Sequence, residues 1–599
     1  MRVITDFFTK GAFWDTIAMF YQYAVFIYGT SLLMCYGLLA MMSLANIRRY
    51  QKKNANVDYN IIVESPLAPG ISVIAPAFNE GVTIISNVRS LLTFNYPKYE
   101  VIIINDGSTD DTLDKLIVEF EMVEVEYAYR EKLNCKPVKR IFRSTNPAYD
   151  KLSVVDKVNG KSKADASNAG VNISAFDYYL CTDVDCILDK DTLIKLIKPF
   201  MDEETSTTKE INGDIQIQED YKRVIASGAT LRMVNSCDVD EGLMIRVRPP
   251  RRFLPRFQEM EYIRAYCLGK MGWDLINAVP NVSGGLGMFD KEISIKAGGY
   301  DSLSFAEDMD LVTRMGAYMK DNKKKYSVKY VPITLCWTEG PTTLKVFGRQ
   351  RSRWGRGLAQ LMNTHRKILF NPRYGRMGLI VFPYHFFYEL FAPVIEFLGI
   401  LFYVYLILTN QINWPYAIIL IVFVYTYSVM ITTLALLWDQ ITFKYYTTWG
   451  ETIGLCLMAF LEPFIYHPLI VWFALKGYWD FVLGRKHVWG NMQRQGLGAQ
   501  KKITVSAAIL LKDFLNNPKR ADSLYMSKSI EVTGTVFDVD KTPDGKPMIY
   551  LQTGDNIGGV QCLFTRNANI NKGQDVTIKG ICSAYSLEGV VVKDCSLVK

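Results

Sequence analysis

Two short apolar runs with a helix-like stretch between them constrain the fold of this chain most strongly. Residues 71–75 and 101–104 have the length and composition of buried strands, and an amphipathic segment separates them. Strands joined by such a crossover run parallel in one sheet. Polar turns follow both strands, Asn79 and Glu80 after the first and residues 105–108 after the second. Because ligands bind beyond the carboxyl ends of parallel strands, both turns are expected to face one crevice that suits a nucleotide, although a purely structural unit has similar turns.

A long uncharged segment near the start of the chain predicts a membrane helix. Residues 16–47 carry no charge, and this exceeds the roughly 20 residues that a spanning helix needs. Basic residues follow at once, at positions 48, 49, 52 and 53. Positive charge on that side predicts that the N-terminus lies outside the membrane and that the next domain is cytosolic. The alternative is a cleaved signal peptide, but the apolar stretch is too long and no small-residue cleavage pattern follows it.

Apolar segments return in the second half of the chain. Residues 377–409 and 415–438 are each long enough to cross a membrane, whereas residues 449–483 contain Glu462 and His467 and are followed by basic residues. We therefore expect an interfacial or re-entrant helix pair there. Glu389 and Glu396 lie seven residues apart and share one helix face, which fits either a sugar-lined channel or a helix–helix hydrogen bond.

The end of the chain has a different pattern. Residues 528–598 contain five short alternating strands with glycine in the turns, typical of a small OB-like barrel, the fold that binds oligonucleotides or oligosaccharides. Eight basic and eight acidic side chains balance over residues 528–599, so no nucleic acid is expected to bind. The whole chain has a formal charge of +8, and we attribute the basic excess to residues that orient the chain in a membrane. The eleven cysteines are expected to be free thiols in a reducing compartment.

These patterns divide the chain into six parts. The fold class is an α/β domain, then an α-helical membrane domain, then a small all-β barrel. The expected boundaries are an N-terminal transmembrane helix at 1–50, a cytosolic α/β domain at 51–345, interfacial helices at 346–376, transmembrane helices at 377–445, interfacial or re-entrant helices and a linker at 446–520, and the barrel at 521–599.

Acidic side chains that follow predicted strands are candidates for chemistry. Asp183 and Asp185 come directly after the apolar segment 178–182, and two carboxylates so placed suit Mg²⁺ or Mn²⁺ bound to a diphosphate, although this short pattern is also common in structural loops. Glu307 and Asp308 form a second acidic pair downstream of the glycine-rich segment 281–289. Asp308 is the candidate general base.

Two further segments could hold an anion or a sugar. Lys163 and Asp165 lie at the predicted start of a helix, where backbone N–H groups also favour an anion. The pentapeptide 350–354, QRSRW, places cations and an aromatic ring at the junction with the membrane region. An arginine can steady a leaving diphosphate and a tryptophan can stack on a sugar ring, whereas the alternative is an interfacial anchor.

The ordered motifs PAFNE, NDGSTDD, KADASNAG, TDVD, SGGLGMF, AED and QRSRW resemble the membrane-embedded family 2 glycosyltransferases, which include cellulose, hyaluronan and poly-N-acetylglucosamine synthases. The resemblance covers residues 71–354 and, more loosely, the helices to residue 498. It implies a GT-A nucleotide-sugar domain. Asp106 and Asp165 would hold the uridine, and Asp183 and Asp185 the diphosphate and the metal.

The same resemblance implies the remaining roles. Asp308, beside Glu307, would deprotonate the acceptor for inverting transfer; Gln350 and Arg353 would bind the diphosphate, and Trp354 the acceptor. Glu80 and Lys163 are assigned to the same nucleotide-sugar site. The partners implied are a UDP-sugar, a growing polysaccharide or lipid-linked acceptor, membrane lipid, and an accessory subunit on the barrel. The expected location is the plasma (inner) membrane, with the barrel in the cytosol.

The function expected is polymerisation of a β-linked polysaccharide from UDP-glucose or UDP-N-acetylglucosamine, with translocation of the product. Alternatives are addition of one sugar to a lipid carrier or glycolipid, and an inactive membrane-tethered binding protein. The chain departs from the family at Ala306, where threonine is frequent, and lacks an evident gating loop; residues 487–490, HVWG, are the candidate for a comparable place. The barrel is foreign to the best-known members and resembles tRNA-anticodon-binding-like domains.

Overall fold

The computed structural model describes residues 12–202, 207–211, 214–218, 222–240, 242–485, 503–526, 529–541, 547–554, 559–564, 570–586 and 589–598. The chain divides into two compact units, Met1–Gly498 and Ala499–Lys599. The second unit begins before residue 521, where the barrel was expected to start, because the strand and helices at 503–525 pack against the barrel.

Described strands of the first unit build one large mixed sheet and two hairpins. They are β1 Ile71–Ala77, β2 Tyr99–Asn105, β3 Met122–Glu124, β4 Val138–Ser144, β5 Leu152–Lys157, β6 Tyr178–Thr182, β7 Ile187–Leu188, β8 Thr207–Ile211, β9 Asp214–Gln218, β10 Arg223–Met233, β11 Asp238–Asp240, β12 Leu243–Arg246, β13 Leu286–Asp290 and β14 Tyr326–Thr338.

The large sheet has the order β3-β4-β5-β2-β1-β6-β13-β10-β14-β7. Strands β5, β2, β1 and β6 run parallel, and β13 enters antiparallel between β6 and β10. Helices cover both faces of the sheet, so the central strands are apolar throughout and do not alternate between apolar and polar residues. Five of the first six residues of β1, for example, are essentially inaccessible to solvent. The carboxyl ends of β1, β2, β5 and β6 therefore meet at one edge, as the sequence predicted.

The helical segments of the first unit alternate with these strands and then continue into the apolar region. They are Ala12–Asn54, Asn60–Val63, Ile84–Leu91, Thr112–Glu119, Pro147–Tyr149, Lys163–Ile173, Thr192–Asp202, Phe253–Ile263, Arg264–Lys270, Met271–Leu275, Lys291–Lys296, Glu307–Asp321, Leu344–Thr364, Pro372–Tyr374, Met377–Val381, Phe382–Tyr384, His385–Leu390, Ala392–Leu408, Trp414–Phe443, Trp449–Ala459 and Glu462–Val482.

Among the described residues, three helical stretches are long and apolar enough to cross a membrane: Phe26–Asn54, Met377–Leu408 and Trp414–Phe443. A fourth candidate is the pair Trp449–Ala459 and Glu462–Val482, bent by 63° at its break. The bend fits either a broken span or the re-entrant pair expected from the sequence, and that expectation stays a prediction. Exposed apolar side chains cover these helices, as is usual where lipid replaces water as the solvent.

A buried charge network connects the large sheet to the apolar helices. The guanidinium of Arg232 on β10 is fully buried and donates to Glu259, at 3.0 Å, and to Asp439 near the end of helix Trp414–Phe443. The rings of Tyr445 and Tyr446 lie 4.4 and 5.4 Å from the guanidinium carbon. Since an unpaired buried charge is costly, these partners hold the sheet and the helix in one arrangement.

The second unit is a closed five-stranded barrel with one added strand. Its strands are β15 Ile503–Ser506, β16 Ser529–Lys541, β17 Pro547–Leu551, β18 Gly559–Phe564, β19 Asp575–Ser586 and β20 Gly589–Leu597. The long strand β16 pairs with both β17 and β19, and β18 runs parallel to β20, which closes the OB-like barrel. Helices Ala507–Asn516 and Pro518–Tyr525 pack on its core. The three-part fold class predicted from the sequence is confirmed.

Candidate active site

The turns after β1 and β2 are bound to each other. The Asn79 side chain accepts from the Thr109 backbone N–H at 2.8 Å, and the Asn79 N–H donates to Ser108 Oγ at 3.0 Å. Two residues after Asn79, the Gly81 N–H donates to Asp110 Oδ2 at 3.1 Å. Asn79 adopts a left-handed backbone with φ of 57°, which asparagine tolerates better than most residues. Glu80 lies between these bonded residues and lines the large cavity described below.

A buried lysine joins two of the predicted site carboxylates. Lys157, the last residue of β5, is fully buried, and its ammonium lies 2.7 Å from Asp106 Oδ1 and 2.5 Å from Asp165 Oδ1. Asp106 also accepts from the Gly160 N–H at 3.0 Å, and Asp165 from the Lys136 N–H at 2.9 Å. Asp106 lines the large cavity described below, whereas Asp165 is absent from its lining and faces Lys157 and Lys136.

Asp183 and Asp185 follow β6 into the same crevice. Lys163, at the start of helix Lys163–Ile173, places its ammonium 2.5 Å from Asp183 Oδ1 and donates to the Gly284 carbonyl, also at 2.5 Å. A Cβ on Gly285 would lie 3.8 Å from Asp183 Oδ2, so the glycine-rich loop passes close beside the carboxylate. Burial lowers the pKa of Lys163, but the charges of Asp183, Cys181 and Glu307 and the hydrogen bond to Asp183 together raise it above its ordinary value. This lysine is therefore charged at neutral pH.

The carboxylates of Asp183 and Asp185 fit a divalent metal. Ligand atoms of Asp183, Asp185 and Cys186 lie within 4.8 Å of one another. Carboxylate oxygens are hard ligands of the kind that Mg²⁺ and Mn²⁺ prefer. Cys186 differs, because a hydrogen bond with Cys336 and then burial raise the pKa of its thiol well above the ordinary value. The protonated thiol is a poor ligand, so the two aspartates are the metal-binding candidates.

Glu307 and Asp308 begin helix Glu307–Asp321 on the other side of the glycine-rich loop. A Cβ on Gly284 would lie 3.5 Å from Asp308 Oδ2, so Asp308 faces the loop that Lys163 also contacts. Ala306 occupies the N-cap position and makes no side-chain cap, consistent with the loss of a hydrogen bond inferred from its sequence. Burial raises the pKa of Glu307, while the nearby Arg353 guanidinium lowers it; the net shift is upward.

The helix that carries the QRSRW motif holds this acidic turn in place. In helix Leu344–Thr364, Gln360 accepts from the Phe305 N–H and donates to the Leu303 carbonyl, both at 3.0 Å. A Cβ on Gly357 would lie 2.9 Å from the Ala306 Cβ, which shows how closely the helix approaches the residue before Glu307. The spacing between the QRSRW helix and the Glu307–Asp308 turn is thus set by direct contact.

Within the motif, the two arginines have different surroundings. Arg351 is buried, pairs with Glu261 through both terminal nitrogens, one at 2.7 Å, and donates to the Tyr466 hydroxyl at 2.7 Å. It also lies 4.5 Å from the Trp354 ring. Arg353 instead influences the charge of Glu307 at the acidic turn. Arg351 therefore anchors the helix, and Arg353 is the arginine placed near the predicted chemistry.

One continuous cavity of about 3690 Å³ connects the predicted site residues with the apolar helices. Its lining includes Asp106, Lys163, Asp183, Asp185, Glu307, Asp308, Gln350, Arg353 and Trp354, together with Glu80, Glu389 and Glu396. Every predicted site residue except Asp165 lies on this one surface. Among the described residues, the buried Gln350 Oε1 has no hydrogen-bond partner, so it can accept from a ligand.

The acids of the apolar helices combine the two possibilities considered from the sequence. Glu396 accepts from or donates to His467 Nε2 at 2.7 Å, a bond between helices Ala392–Leu408 and Glu462–Val482. Glu389 lies 2.6 Å from His385 Nδ1 on its own helix. Both carboxylates also line the cavity. Residues 487–490, considered as a gating segment, lie outside the described part of the chain.

Sequence reasoning missed Lys157, Glu261 and Lys270. The sequence carried a signal for Lys157, because a lysine at the end of an apolar strand beside Asp106 is shielded from solvent and needs acidic partners. Glu261 and Lys270 had none, since both lie in a helical segment without a motif and meet the site only through tertiary contacts.

The first unit has the GT-A-like α/β fold predicted from the motifs, joined to apolar helices. Family models agree: the Glycosyl transferase family 2 model matches residues 72–121, and the Glycosyl transferase family group 2 model matches residues 259–439, which include Asp308 and the QRSRW motif. The tRNA_anti-like model matches residues 458–596. The chain carries family 2 glycosyltransferase domains and a tRNA_anti-like OB domain, as the motifs and strand pattern predicted.

Named relatives point the same way. The chain is 26% identical over 288 residues to a poly-beta-1,6-N-acetyl-D-glucosamine synthase of Staphylococcus aureus, and 25% identical to one of Staphylococcus epidermidis. The match covers 48% of this chain and spans 54%, about half, of the length of those relatives.

Two solved structures resemble the fold. They are the mannosyltransferase PcManGT of Pyrobaculum calidifontis, with GDP-Man and Mn²⁺, and residues 1–349 of TarS of S. aureus. The first is 15% identical with a TM-score of 0.39, covering 76% of this chain and 100% of its own. The second is 13% identical with a TM-score of 0.31, covering 70% of this chain and 93% of its own.

Proposed function

We propose that this chain is a membrane-embedded, inverting glycosyltransferase that polymerises β-linked N-acetylglucosamine from a UDP-sugar and passes the product through its own apolar helices. The observation that carries the proposal is the continuous cavity, whose lining includes the predicted site residues Asp106, Asp183 and Asp308 as well as Glu389 and Glu396 of the apolar helices. The staphylococcal relatives are poly-beta-1,6-N-acetyl-D-glucosamine synthases, which supports polymerisation and the choice of sugar.

The donor end of the cavity suits a nucleoside diphosphate. Asp106, held by Lys157, offers its carboxylate to the uridine, while Lys163 and Arg353 place positive charge where the diphosphate would lie. The free Oε1 of Gln350 lies on the same surface. Asp183 and Asp185 would hold Mg²⁺ or Mn²⁺, which when bound acts as a Lewis acid and neutralises charge on the leaving UDP.

Asp308 is the proposed base. Its carboxylate faces the glycine-rich loop and lines the same cavity as Asp183 and Glu389. It would accept the proton of the acceptor hydroxyl as that oxygen forms a bond to the anomeric carbon and the bond to UDP breaks, so the configuration at that carbon inverts. Trp354 offers a ring face on which an acceptor sugar can stack.

The test is product analysis with the full chain in nanodiscs, Mg²⁺ or Mn²⁺, and labelled UDP-N-acetylglucosamine or UDP-glucose supplied separately. High-molecular-weight product from UDP-N-acetylglucosamine supports the proposal. A short, lipid-extractable product would instead indicate single addition to a lipid carrier. Turnover with neither donor, alongside unimpaired folding, would contradict the proposal and favour a binding protein.

The matched control is Asp308→Asn compared with Asp321→Asn, an acid on the same helix that pairs with Arg373 at the surface. The first substitution is expected to abolish transfer while UDP binding is retained. The second is expected to leave both unchanged.

A further inference from the structure

Lys270 is a charged side chain of the cavity to which the reaction above gives no role. It ends the π-helical turn Arg264–Lys270, and it lies in the cavity lining together with Asp308 and Ser283. Its ammonium donates to the Asn281 carbonyl at 2.9 Å and makes no ion pair with a described carboxylate. An ammonium has three N–H donors, so this one has donors to offer to a ligand.

Two lysines donate to different carbonyls of the glycine-rich loop. Lys163 donates to the Gly284 carbonyl and pairs with Asp183, which places it on the donor side. Lys270 donates to the Asn281 carbonyl, and the acids acting on its charge are Asp308 and Glu389. Lys270, Asp308 and Glu389 line the same cavity, and Glu389 belongs to the apolar helices, so we assign Lys270 to the acceptor side.

Two aromatic rings restrict the position of the Lys270 ammonium. The rings of Tyr266 and Tyr330, stacked at 6.0 Å, lie 5.3 and 5.5 Å from its ammonium. Asp274, one helical turn onward, accepts from Asn46 and from the Tyr330 N–H. Burial lowers the pKa of Lys270 and the charges of Asp308 and then Glu389 raise it, with a net pKa of about 8.

We infer that Lys270 is the cationic hydrogen-bond donor of the acceptor subsite, contacting the terminal sugar of the growing saccharide and positioning its hydroxyl for Asp308. This inference rests on the proposed function. The ligand class is a neutral, hydroxyl-rich saccharide with acetamido groups, whose oxygens accept hydrogen bonds from an ammonium. The Asn281 contact fixes the lysine relative to the loop that also borders Asp308.

The experiment uses the full chain in nanodiscs and a short β-linked N-acetylglucosamine oligosaccharide as probe. Lys270→Met removes the charge, Lys270→Arg keeps it, and Lys320→Met is the control, because Lys320 also lies over a tyrosine ring but outside the cavity lining. Equilibrium binding of the probe is measured without donor, and the KM values for probe and for UDP-N-acetylglucosamine are measured with it.

Lys270→Met is expected to weaken probe binding, or raise the probe KM where turnover occurs, by about 10-fold or more, with the donor KM changed less than about twofold. Lys270→Arg restores most of the loss, and Lys320→Met causes none. Wild-type affinity for the probe should fall as pH rises through about 8, where Lys270 loses its charge, whereas the arginine variant stays flat.

The outcomes separate this inference from the proposed function. Probe binding that depends on Lys270 in a chain without turnover would support the inference and overturn the polymerase. Turnover with equal probe affinity in wild type and Lys270→Met would overturn the inference alone, as would an equal rise of both KM values. A wild-type chain that neither binds the probe nor turns over would overturn both.

Discussion

The Lys157 ammonium lies 2.7 Å from the Asp106 carboxylate and also contacts Asp165. A residue at the end of one strand thereby holds the acid at the end of its neighbour, because β2 and β5 run parallel and finish at the same edge. The position of Asp106 in the cavity depends on this buried charge pair.

Lys157→Met should therefore lower the free energy of unfolding by about 3–5 kcal/mol, since two buried carboxylates lose their counter-ion. Lys115→Met is the control, because the Lys115–Asp111 pair is at the surface and exposed pairs contribute little. Thermal unfolding in detergent measures the difference. Equal stability of the two variants would show that the pair has no anchoring role.

Gly357→Ala should separate the QRSRW helix from the acidic turn. The new Cβ would lie 2.9 Å from the Ala306 Cβ and 3.1 Å from its backbone nitrogen, so the turn bearing Asp308 must shift. We expect turnover to fall by roughly tenfold or more, as small misplacements do in active sites, with UDP affinity unchanged. Gly450→Ala, where a Cβ meets nothing within 4 Å, serves as the control. Full activity in the first variant would mean that this contact does not position Asp308.

Glu307→Gln should lower the turnover rate and raise the unfolding temperature, and the gain in stability should depend on pH. Burial raises the pKa of Glu307 above its ordinary value, so the folded protein holds this proton more tightly than the unfolded chain. The resulting stability is present below the ordinary pKa and is lost as pH rises through the folded value. The glutamine variant should unfold at a higher temperature than wild type at pH 8 but not at pH 4.5, and should turn over more slowly.

Glu119→Gln, on the exposed pair with Arg89, provides the comparison for the stability measurement. A gain in unfolding temperature of the same size at both pH values would contradict the buried-carboxylate explanation.

Chelation of divalent cations should stop UDP release, and Mn²⁺ or Mg²⁺ should restore it. Asp185→Asn should weaken Mn²⁺ binding to the chain, followed by electron paramagnetic resonance, by at least about tenfold because one hard carboxylate ligand is lost. Asp189→Asn is the control, as this nearby acid caps the following helical turn and faces Lys195. Unchanged Mn²⁺ binding in Asp185→Asn would exclude Asp185 as a ligand.

Much of the architecture could be read from local pattern. The βαβ start, the uncharged N-terminal helix and the alternating strands of the barrel depend on the period of apolar residues along the chain, and each formed where the pattern indicated. Asp183, Asp185 and Asp308 were found because residues that follow strands or begin helices meet at the edge of a parallel sheet.

Sequence patterns were less informative where two distant segments share one contact. Arg351 and Arg353 look alike in QRSRW, yet only the packing against Glu261 and Tyr466 makes the first an anchor. Asp165 is the aspartate of the KADASNAG motif, but its side chain faces Lys157 instead of the cavity.

The sequence by itself determined the order of the domains, the strands and helices, and the acids at the sheet edge, because these follow from short-range periodicity and turn chemistry. Only the tertiary structure decided which charges neutralise each other, how closely helix Leu344–Thr364 approaches the turn at Ala306, and that Lys270 lies in the same cavity as Asp308. Those features depend on long-range packing and on burial, where a charge must find a partner or shift its pKa, and neither is encoded in local spacing.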